Sequence, residues 1–177
     1  MPFAIEMFFD AKSEEMVRGI WRILHEKNIS SYMFTSGSRP HITLSVLNSI
    51  DMLEFSQKLK TFAEESNSLE MKFGSIGAFP GAEGVLFLSP TVTYGLLKLH
   101  ESFHNVFDCY KKEVWNYYLP GLWVPHCTLA IDLHKNNLPL AMECVLDNYQ
   151  PINARIEEIG IVEFRPVKHH ISYELRK

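Results

Sequence analysis

Pro40-His41-Ile42-Thr43-Leu44 is a short stretch that returns later in the chain as Pro125-His126-Cys127-Thr128-Leu129. In a β-strand, residues i and i+2 point to the same face. Each stretch therefore predicts a strand that presents one imidazole and one hydroxyl side by side, with Ile42 or Cys127 on the other face. Two such strands facing each other would place two histidines across a gap, an arrangement suited to general acid–base chemistry at a phosphate.

The composition is that of an ordinary globular protein. The chain has 177 residues, of which 46% are hydrophobic and 21% are charged, so it is long enough for one domain with its own core. The net charge of −4 disfavours a broad electrostatic grip on long nucleic acid. We therefore expect a small nucleotide or an RNA end as the partner. We also expect the protein to be a monomer.

The cysteines and the start of the chain predict the compartment. Cys109, Cys127 and Cys144 form no Cys-x-x-Cys pair, which favours reduced, mostly buried thiols over a disulfide framework. A nucleophilic role for Cys127 is the weaker interpretation, because strand alternation turns it away from His126. Residues 1–10 show no basic leader, and no stretch is long and apolar enough to span a membrane. We expect a cytoplasmic protein.

Strands and helices alternate outward from the two motifs. Strand-forming runs cover Phe3–Phe9, Tyr32–Phe34, Ile42–Leu47, Met71–Phe79, Val85–Leu88, Trp123–Ile131, Ile152–Phe164 and Val167–Leu175. Apolar residues at helical spacing predict helices after Asp10 or Ser13, after Asn48 or Ser49, over Tyr94–Phe107 and after Asn137. Antiparallel strand pairs with helices between them indicate an α+β fold. The duplicated motif indicates a single bilobal domain, residues 1–177, whose two lobes face one central cleft.

Metal binding is the weaker interpretation of the histidines. His100 and His104 have a spacing that can bind a metal, but the pattern lacks the glutamate of the His-Glu-x-x-His motif. A position on the helix surface is the preferred interpretation for both. A zinc site on His41 and His126 would need a third protein ligand, which the sequence does not indicate. We expect no metal and no cofactor.

The paired motifs resemble those of the two-histidine phosphoesterase superfamily, especially the branch similar to 2′–5′ RNA ligases and cyclic phosphodiesterases. The segment Gly77-Ala78-Phe79-Pro80, followed by Val85-Leu86-Phe87-Leu88 and a leucine-rich helix, is similar to the region between the motifs of that family. The resemblance implies two pseudo-symmetric, mostly antiparallel sheets with flanking helices around the cleft. The loop before Val85 lacks the basic residues of many RNA-acting members, which favours a nucleotide-sized substrate.

The resemblance implies a metal-independent phosphodiesterase that acts on a 2′,3′-cyclic phosphate or a 2′–5′-linked nucleotide or RNA end, with 2′–5′ RNA ligation as an alternative activity. His41 is assigned as the base and His126 as the acid, with roles that exchange if the substrate lies in the opposite direction. Thr43 and Thr128 would donate hydrogen bonds to the phosphate oxygens. Opening of the cyclic phosphate to the 2′-phosphate is favoured.

Four further residues are candidates for substrate binding. The aromatic side chains of Phe79, Trp123 and Tyr173 could stack on a base, against the alternative of ordinary core packing. Arg39 could neutralise the phosphate, or it could be a solvated strand flank. Two other functional classes stay open, a nucleotide- or RNA-end-binding module without turnover and a structural protein whose motifs merely begin strands.

Overall fold

The computed structural model describes residues 1–81, 83–134 and 136–177, and these contain seven strands and five α-helices. The strands are β1 (Phe3–Phe9), β2 (His41–Leu47), β3 (Leu69–Phe79), β4 (Glu83–Pro90), β5 (Cys127–His134), β6 (Ile152–Glu163) and β7 (Lys168–Glu174). The helices are α1 (Ala11–Glu26), α2 (Tyr32–Thr35), α3 (Met52–Glu65), α4 (Tyr94–Val106) and α5 (Leu138–Asn148), with 3₁₀ helices at Asp108–Glu113 and Asn116–Tyr118. No helix in these ranges is both long enough and apolar enough to cross a membrane.

The strands form one antiparallel sheet in the order β2-β1-β6-β3-β4-β5, with β7 also paired to β6. Strand β6 joins the two halves of this sheet. One of its edges pairs with β1, whereas the other pairs with β3 over Ile152–Ile156 and with β7 over Glu158–Glu163. The predicted α+β class is confirmed, and the two expected antiparallel sheets are joined into one because both use β6.

Gly160 allows β6 to lie closely between β1 and β7. A Cβ atom at this position would be 2.8 Å from the backbone oxygen of Ile171 and 2.9 Å from Cε2 of Phe8. Any larger residue would therefore push the neighbouring strand or the Phe8 ring away. The absence of a side chain here keeps the sheet continuous beneath the site described below.

The two faces of the sheet have different roles. Met7 pairs with Ile42 and with Ile159, and all three belong to a core that also takes in the apolar sides of α1, α3, α4 and α5. The alternate residues of β1 point to the other face, where Glu6 is paired with Thr43. These four helices therefore cover one face, and the first motif is presented on the opposite face.

Two predicted strand segments differ from the structure. Tyr32–Phe34 belongs to the short helix α2, which is closed by a hydrogen bond from Ser36 N to Tyr32 O of 2.8 Å. The predicted strand Trp123–Ile131 begins only at Cys127, because Trp123 N donates to Leu119 O in a turn and Pro125 has no N–H to donate to a neighbouring strand. His126 consequently lies just before β5 rather than within it.

Candidate active site

The first motif begins β2 and the second leads into β5; these are the outer strands of the sheet order, and they contact each other in the folded chain. Two indole N–H groups connect this region to the rest of the protein. Trp123 Nε1 donates to Thr43 O and Trp21 Nε1 donates to Thr128 O, each at 3.0 Å. Both bonds use the backbone of a motif threonine and leave its hydroxyl available.

Both motif histidines are held in the same way. Nδ1 of His41 is 2.6 Å from the backbone oxygen of Arg39, and Nδ1 of His126 is 2.7 Å from that of Val124. A carbonyl oxygen can only accept, so Nδ1 of each ring carries the proton. Nε2 is then the unprotonated nitrogen of each neutral ring. This repeated anchor gives both rings the same tautomer and leaves Nε2 to exchange protons with a ligand.

The two motifs line adjoining cavities. His41 and Thr43 line a cavity of about 200 Å³, and His126 lines a second one of about 520 Å³. Thr128, Tyr118 and Ile131 line both cavities. The cavities therefore form one cleft with a histidine on each side of the shared wall.

Burial lowers the pKa of both motif histidines. Removal from water disfavours the imidazolium, and this effect on the His41 pKa outweighs the hydrogen bond to Arg39 O and the charge of Glu14. The pKa of His126 is also lowered mainly by burial, and the positive charge of His41 lowers it further. Because each charge disfavours the other, the pair favours a state with one protonated and one neutral ring over a doubly charged one.

Glu6 is a buried carboxyl group at the same site, which the sequence analysis did not identify. Its side chain lines the smaller cavity, and Oε2 is 3.4 Å from Nδ1 of His41. Burial raises the pKa of Glu6 to about 8, against the opposing charges of His169 and Arg39. Glu6 is therefore protonated in the folded protein at neutral pH, and it titrates beside the first motif histidine.

This raised pKa predicts how stability depends on pH. The folded state keeps the Glu6 proton up to a pH of about 8, whereas the unfolded state loses it at the ordinary pKa of 4.5. The stability that is present below pH 4.5 is therefore lost as the pH rises through 8. Glu6→Gln removes this titration. We expect the variant to be more stable than the wild type at pH 9, by on the order of a few kcal/mol, with the gap closing towards pH 5. Urea unfolding at several pH values measures it.

The matched control is Glu15→Gln, which changes an exposed glutamate on α1. It should show no comparable gain in stability at pH 9. A Glu6→Gln variant whose stability follows that of the wild type across the whole pH range would show that Glu6 is not held protonated in the folded state.

Tyr118 is a second site residue that the sequence analysis missed. It is the last residue of a 3₁₀ helix, lines both cavities and shares the wall of the smaller one with Thr43. Burial raises its pKa, and the charge of Glu6 raises it further. The phenol therefore stays protonated at the shared wall, where it can donate a hydrogen bond to a bound anion.

Arg39 lines neither cavity, so the geometry gives no support to its predicted role in phosphate binding. Its guanidinium donates to Glu14 at 2.6 Å and to Glu158 at 3.0 Å, and it lies 4.2 Å above the Phe8 ring. These partners come from α1 and β6. Because two carboxylates already neutralise the guanidinium, Arg39 orders the segment before the first motif instead of meeting a phosphate.

Tyr173 is also placed away from the cleft. It pairs with Ile159 on β6, which shares the face of the buried residues Met7 and Ile42. Its ring packs against the core as a partly buried side chain. The prediction that Tyr173 holds a base is wrong, and its alternative, core packing, describes the side chain.

Phe79 and Trp123 both line the larger cavity. The Phe79 ring meets the His126 ring edge to face, with centroids 4.9 Å apart. Trp123 stacks in parallel on His100 at 4.0 Å. The structure thus brings Phe79 and Trp123 together with His126, which keeps them as candidates for holding a base.

His100 is not on the helix surface, contrary to the preferred interpretation of its sequence. It is 2% exposed, and Nε2 lies 2.9 Å from the backbone oxygen of Tyr118. Burial and the charge of the adjacent His104 lower its pKa to about 4. The neutral ring supports Trp123 and the Tyr118 segment from below the cleft.

Two other chemistries find little support at the site. Cys127 is fully buried, and burial raises the pKa of its thiol to about 12, so it remains a protonated thiol in the core. Within the described ranges, no three or more histidine, cysteine or acidic side chains cluster in a way that could hold a metal. The groups that can exchange or donate protons beside the motifs include the imidazoles, the hydroxyls and Glu6.

Solved structures of proteins with a related fold align with nearly the whole chain. TT0787 of Thermus thermophilus aligns over 99% of this chain and 98% of its own, with 18% identity and a TM-score of 0.61. Escherichia coli LigT, solved with 3′-AMP, aligns over 100% of both chains with 14% identity and a TM-score of 0.60. A comparison with proteins of curated function gave no significant match.

The family model decides the relationship. The model of the 2′-5′ RNA ligase superfamily matches residues 11–167, a range that contains both histidine motifs and the five strands from β2 to β6. The chain belongs to the 2′-5′ RNA ligase superfamily.

Proposed function

We propose that this chain is a metal-independent phosphodiesterase that acts on a 2′,3′-cyclic phosphate or a 2′–5′-linked nucleotide or RNA end. The observation that carries the proposal is the pair of imidazoles, His41 and His126, each held through Nδ1 and each lining one part of a shared cleft. Membership of the 2′-5′ RNA ligase superfamily supports an activity on phosphodiesters of RNA ends.

Hydrolysis of a 2′,3′-cyclic phosphate needs one proton removed and one delivered. Nε2 of the neutral His41 ring takes a proton from water as the water oxygen bonds to phosphorus. The bond between phosphorus and ribose O3′ breaks, and the protonated His126 ring gives its proton to O3′. The product is a 2′-phosphate. With a ribose 5′-hydroxyl in place of water, the same step would form a 2′–5′ linkage.

The hydroxyls stabilise the charge that develops on the phosphoryl oxygens. Thr43 and Thr128 line the cleft with the two imidazoles, and Tyr118 lines the same wall as both threonines. Hydrogen-bond donors that are already in place stabilise the transition state without reorganisation. We assign the threonines, with Tyr118, to the non-bridging oxygens.

The larger cavity is suited to a nucleobase. Its walls include Phe79, Trp115, Tyr117 and Trp123, and aromatic rings stack on bases with little preference for sequence. The solved complexes of Escherichia coli LigT with 3′-AMP and with ATP support a ligand of nucleotide size for this fold.

A panel of substrates in excess EDTA tests the proposed function. We expect hydrolysis of adenosine 2′,3′-cyclic phosphate and of a 2′–5′-linked diadenylate, and no hydrolysis of the matched 3′–5′-linked diadenylate. The activity should persist in EDTA, because the histidines need no metal to move protons. Phosphorus NMR identifies the product, which should be the 2′-phosphate. Loss of activity in EDTA that one specific metal restores would contradict the metal-independent mechanism. Saturable nucleotide binding with no product would favour the binding module.

A further inference from the structure

We propose that Arg165 binds a phosphate on the 5′ oxygen of the substrate ribose, so that the enzyme selects 5′-phosphorylated nucleotides or RNA ends over simple nucleoside cyclic phosphates. This inference rests on the proposed function for the place of the reacting phosphate. Among the described residues that line the two cavities, Arg165 is the one lysine or arginine, and it lines the smaller cavity together with His41 and Thr43.

Arg165 and its partner Asp132 both have unusual backbone conformations. Arg165 lies in the turn between β6 and β7 with φ of 61°, and Asp132 on β5 has φ of 54°. Left-handed backbones are rare for residues other than glycine and persist where the surrounding structure requires them. The two side chains meet, and the guanidinium is 3.1 Å and 3.3 Å from the carboxylate oxygens of Asp132.

The pairing of Arg165 is weak enough to be exchanged for a ligand. Its side chain is 61% exposed and Asp132 is 43% exposed, and exposed ion pairs contribute little because water competes for both partners. Each guanidinium lies over a ring, Arg39 over Phe8 at 4.2 Å and Arg165 over Tyr32 at 5.7 Å. Arg39 differs because two less exposed carboxylates hold it. A phosphate offers the Arg165 guanidinium two oxygens in the geometry that it prefers.

The geometry of ribose connects Arg165 to the 5′ position. The base on C1′ and the 5′ carbon on C4′ lie on the same face of the ring, at opposite ends of the C2′–C3′ edge that carries the phosphate. With the 2′,3′-phosphate at the wall between the histidines and the base in the larger aromatic cavity, the 5′ carbon points into the smaller cavity. That cavity, about 200 Å³, is below the usual size for a whole nucleotide and has Arg165 at its wall.

The test compares three substrates: adenosine 2′,3′-cyclic phosphate, the same compound with a 5′-phosphate, and a 3′–5′-linked dinucleotide that ends in a 2′,3′-cyclic phosphate. The wild type should show kcat/KM at least roughly 10-fold higher for a 5′-phosphorylated substrate, as expected of a charge-assisted hydrogen bond. A gain with the monoester alone identifies a nucleotide substrate, whereas a gain with the dinucleotide as well identifies an RNA end. The gain should shrink with added salt.

Arg165→Gln should abolish most of this ratio between substrates, and Arg165→Lys should keep part of it. Arg22→Gln is the matched control, because Arg22 is an exposed arginine on α1 paired to Glu15, and it should keep the wild-type ratio. An equal kcat/KM with and without the 5′-phosphate in the wild type, or an unchanged ratio in Arg165→Gln, would overturn the inference.

A binding measurement separates this inference from the proposed function. Adenosine 2′,5′-bisphosphate should bind at least roughly 10-fold more tightly than 2′-AMP to the wild type, and this preference should be lost in Arg165→Gln. If no substrate is turned over but the preference is present and depends on Arg165, the 5′-phosphate site stands and the proposed hydrolysis fails. If turnover occurs without the preference, the site fails and the hydrolysis stands.

Discussion

His41→Ala and His126→Ala should each lower kcat by roughly 10²- to 10⁴-fold, because each removes one of the two proton transfers. The two rings line a cleft and are anchored by backbone oxygens of their own segments, so the rest of the fold does not depend on them. The double variant should be little slower than the worse single variant, since residues that act as a unit are not additive. Single-turnover kinetics on a 2′,3′-cyclic nucleotide measures all three.

The matched control for these variants is His25→Ala. His25 lies on α1, where it is hydrogen-bonded to Ser31 and stacked on Phe34, and it lines neither cavity. Its replacement should leave kcat unchanged. If either motif histidine can be replaced with a full rate and the same product, the two-histidine mechanism is wrong.

Thr43→Val and Thr128→Val should each lower kcat on the order of 10²-fold, the usual loss when one donor to a developing negative charge is removed. Valine keeps the branched shape, and the backbone oxygens that accept from Trp123 and Trp21 are unchanged. KM should change less than kcat, because the hydroxyl acts mainly in the transition state. Thr43→Val should be the milder of the two, since the Tyr118 phenol remains beside it.

Thr61→Val is the control for the threonine variants. Thr61 lies on α3, where its hydroxyl donates to the backbone oxygen of Gln57, outside the cleft. Steady-state kinetics of the three variants on one substrate separates the effects. Normal turnover in both motif variants would assign the hydroxyls to the strands and not to the phosphate.

The motif strands could be predicted because their information is local. A histidine and a threonine two residues apart share a strand face, and the structure places Thr43 opposite Glu6 on one face of the sheet. The neighbouring position, Ile42, is fully buried on the other face. This alternation needs no knowledge of the remaining chain.

The predictions that the geometry does not support depended on contacts between distant parts of the chain. Arg39 lies next to the first motif in sequence, but its partners Glu14 and Glu158 are brought to it by α1 and β6. The face on which Tyr173 lies is set by its register with β6, which shifts between Ile161 and Val162. Neither the ion pairs nor this shift has a signal in the local sequence.

The site residues that the sequence did not indicate also depend on contacts between distant parts of the chain. Glu6 is one acidic residue in an apolar strand, and only the pairing of β1 with β2 puts it beside His41. Tyr118 reaches the cleft from a 3₁₀ helix with no periodic pattern. His100 was predicted on a helix surface. Its parallel stack on Trp123 involves a segment far along the chain and has no signal in the sequence around His100.

The pH dependence of kcat/KM for a 2′,3′-cyclic nucleotide tests the central claim, acid–base catalysis by two histidines, most directly. The profile should be bell-shaped because one ring must be neutral and the other protonated. Burial lowers the pKa of both His41 and His126, so the maximum should lie on the acidic side of pH 6.5, the ordinary value, and below the titration of Glu6 near 8. The His41→Ala and His126→Ala variants should each keep a residual rate with one limb missing. A rate that is flat, or that rises steadily into alkaline pH, would contradict the two-histidine account.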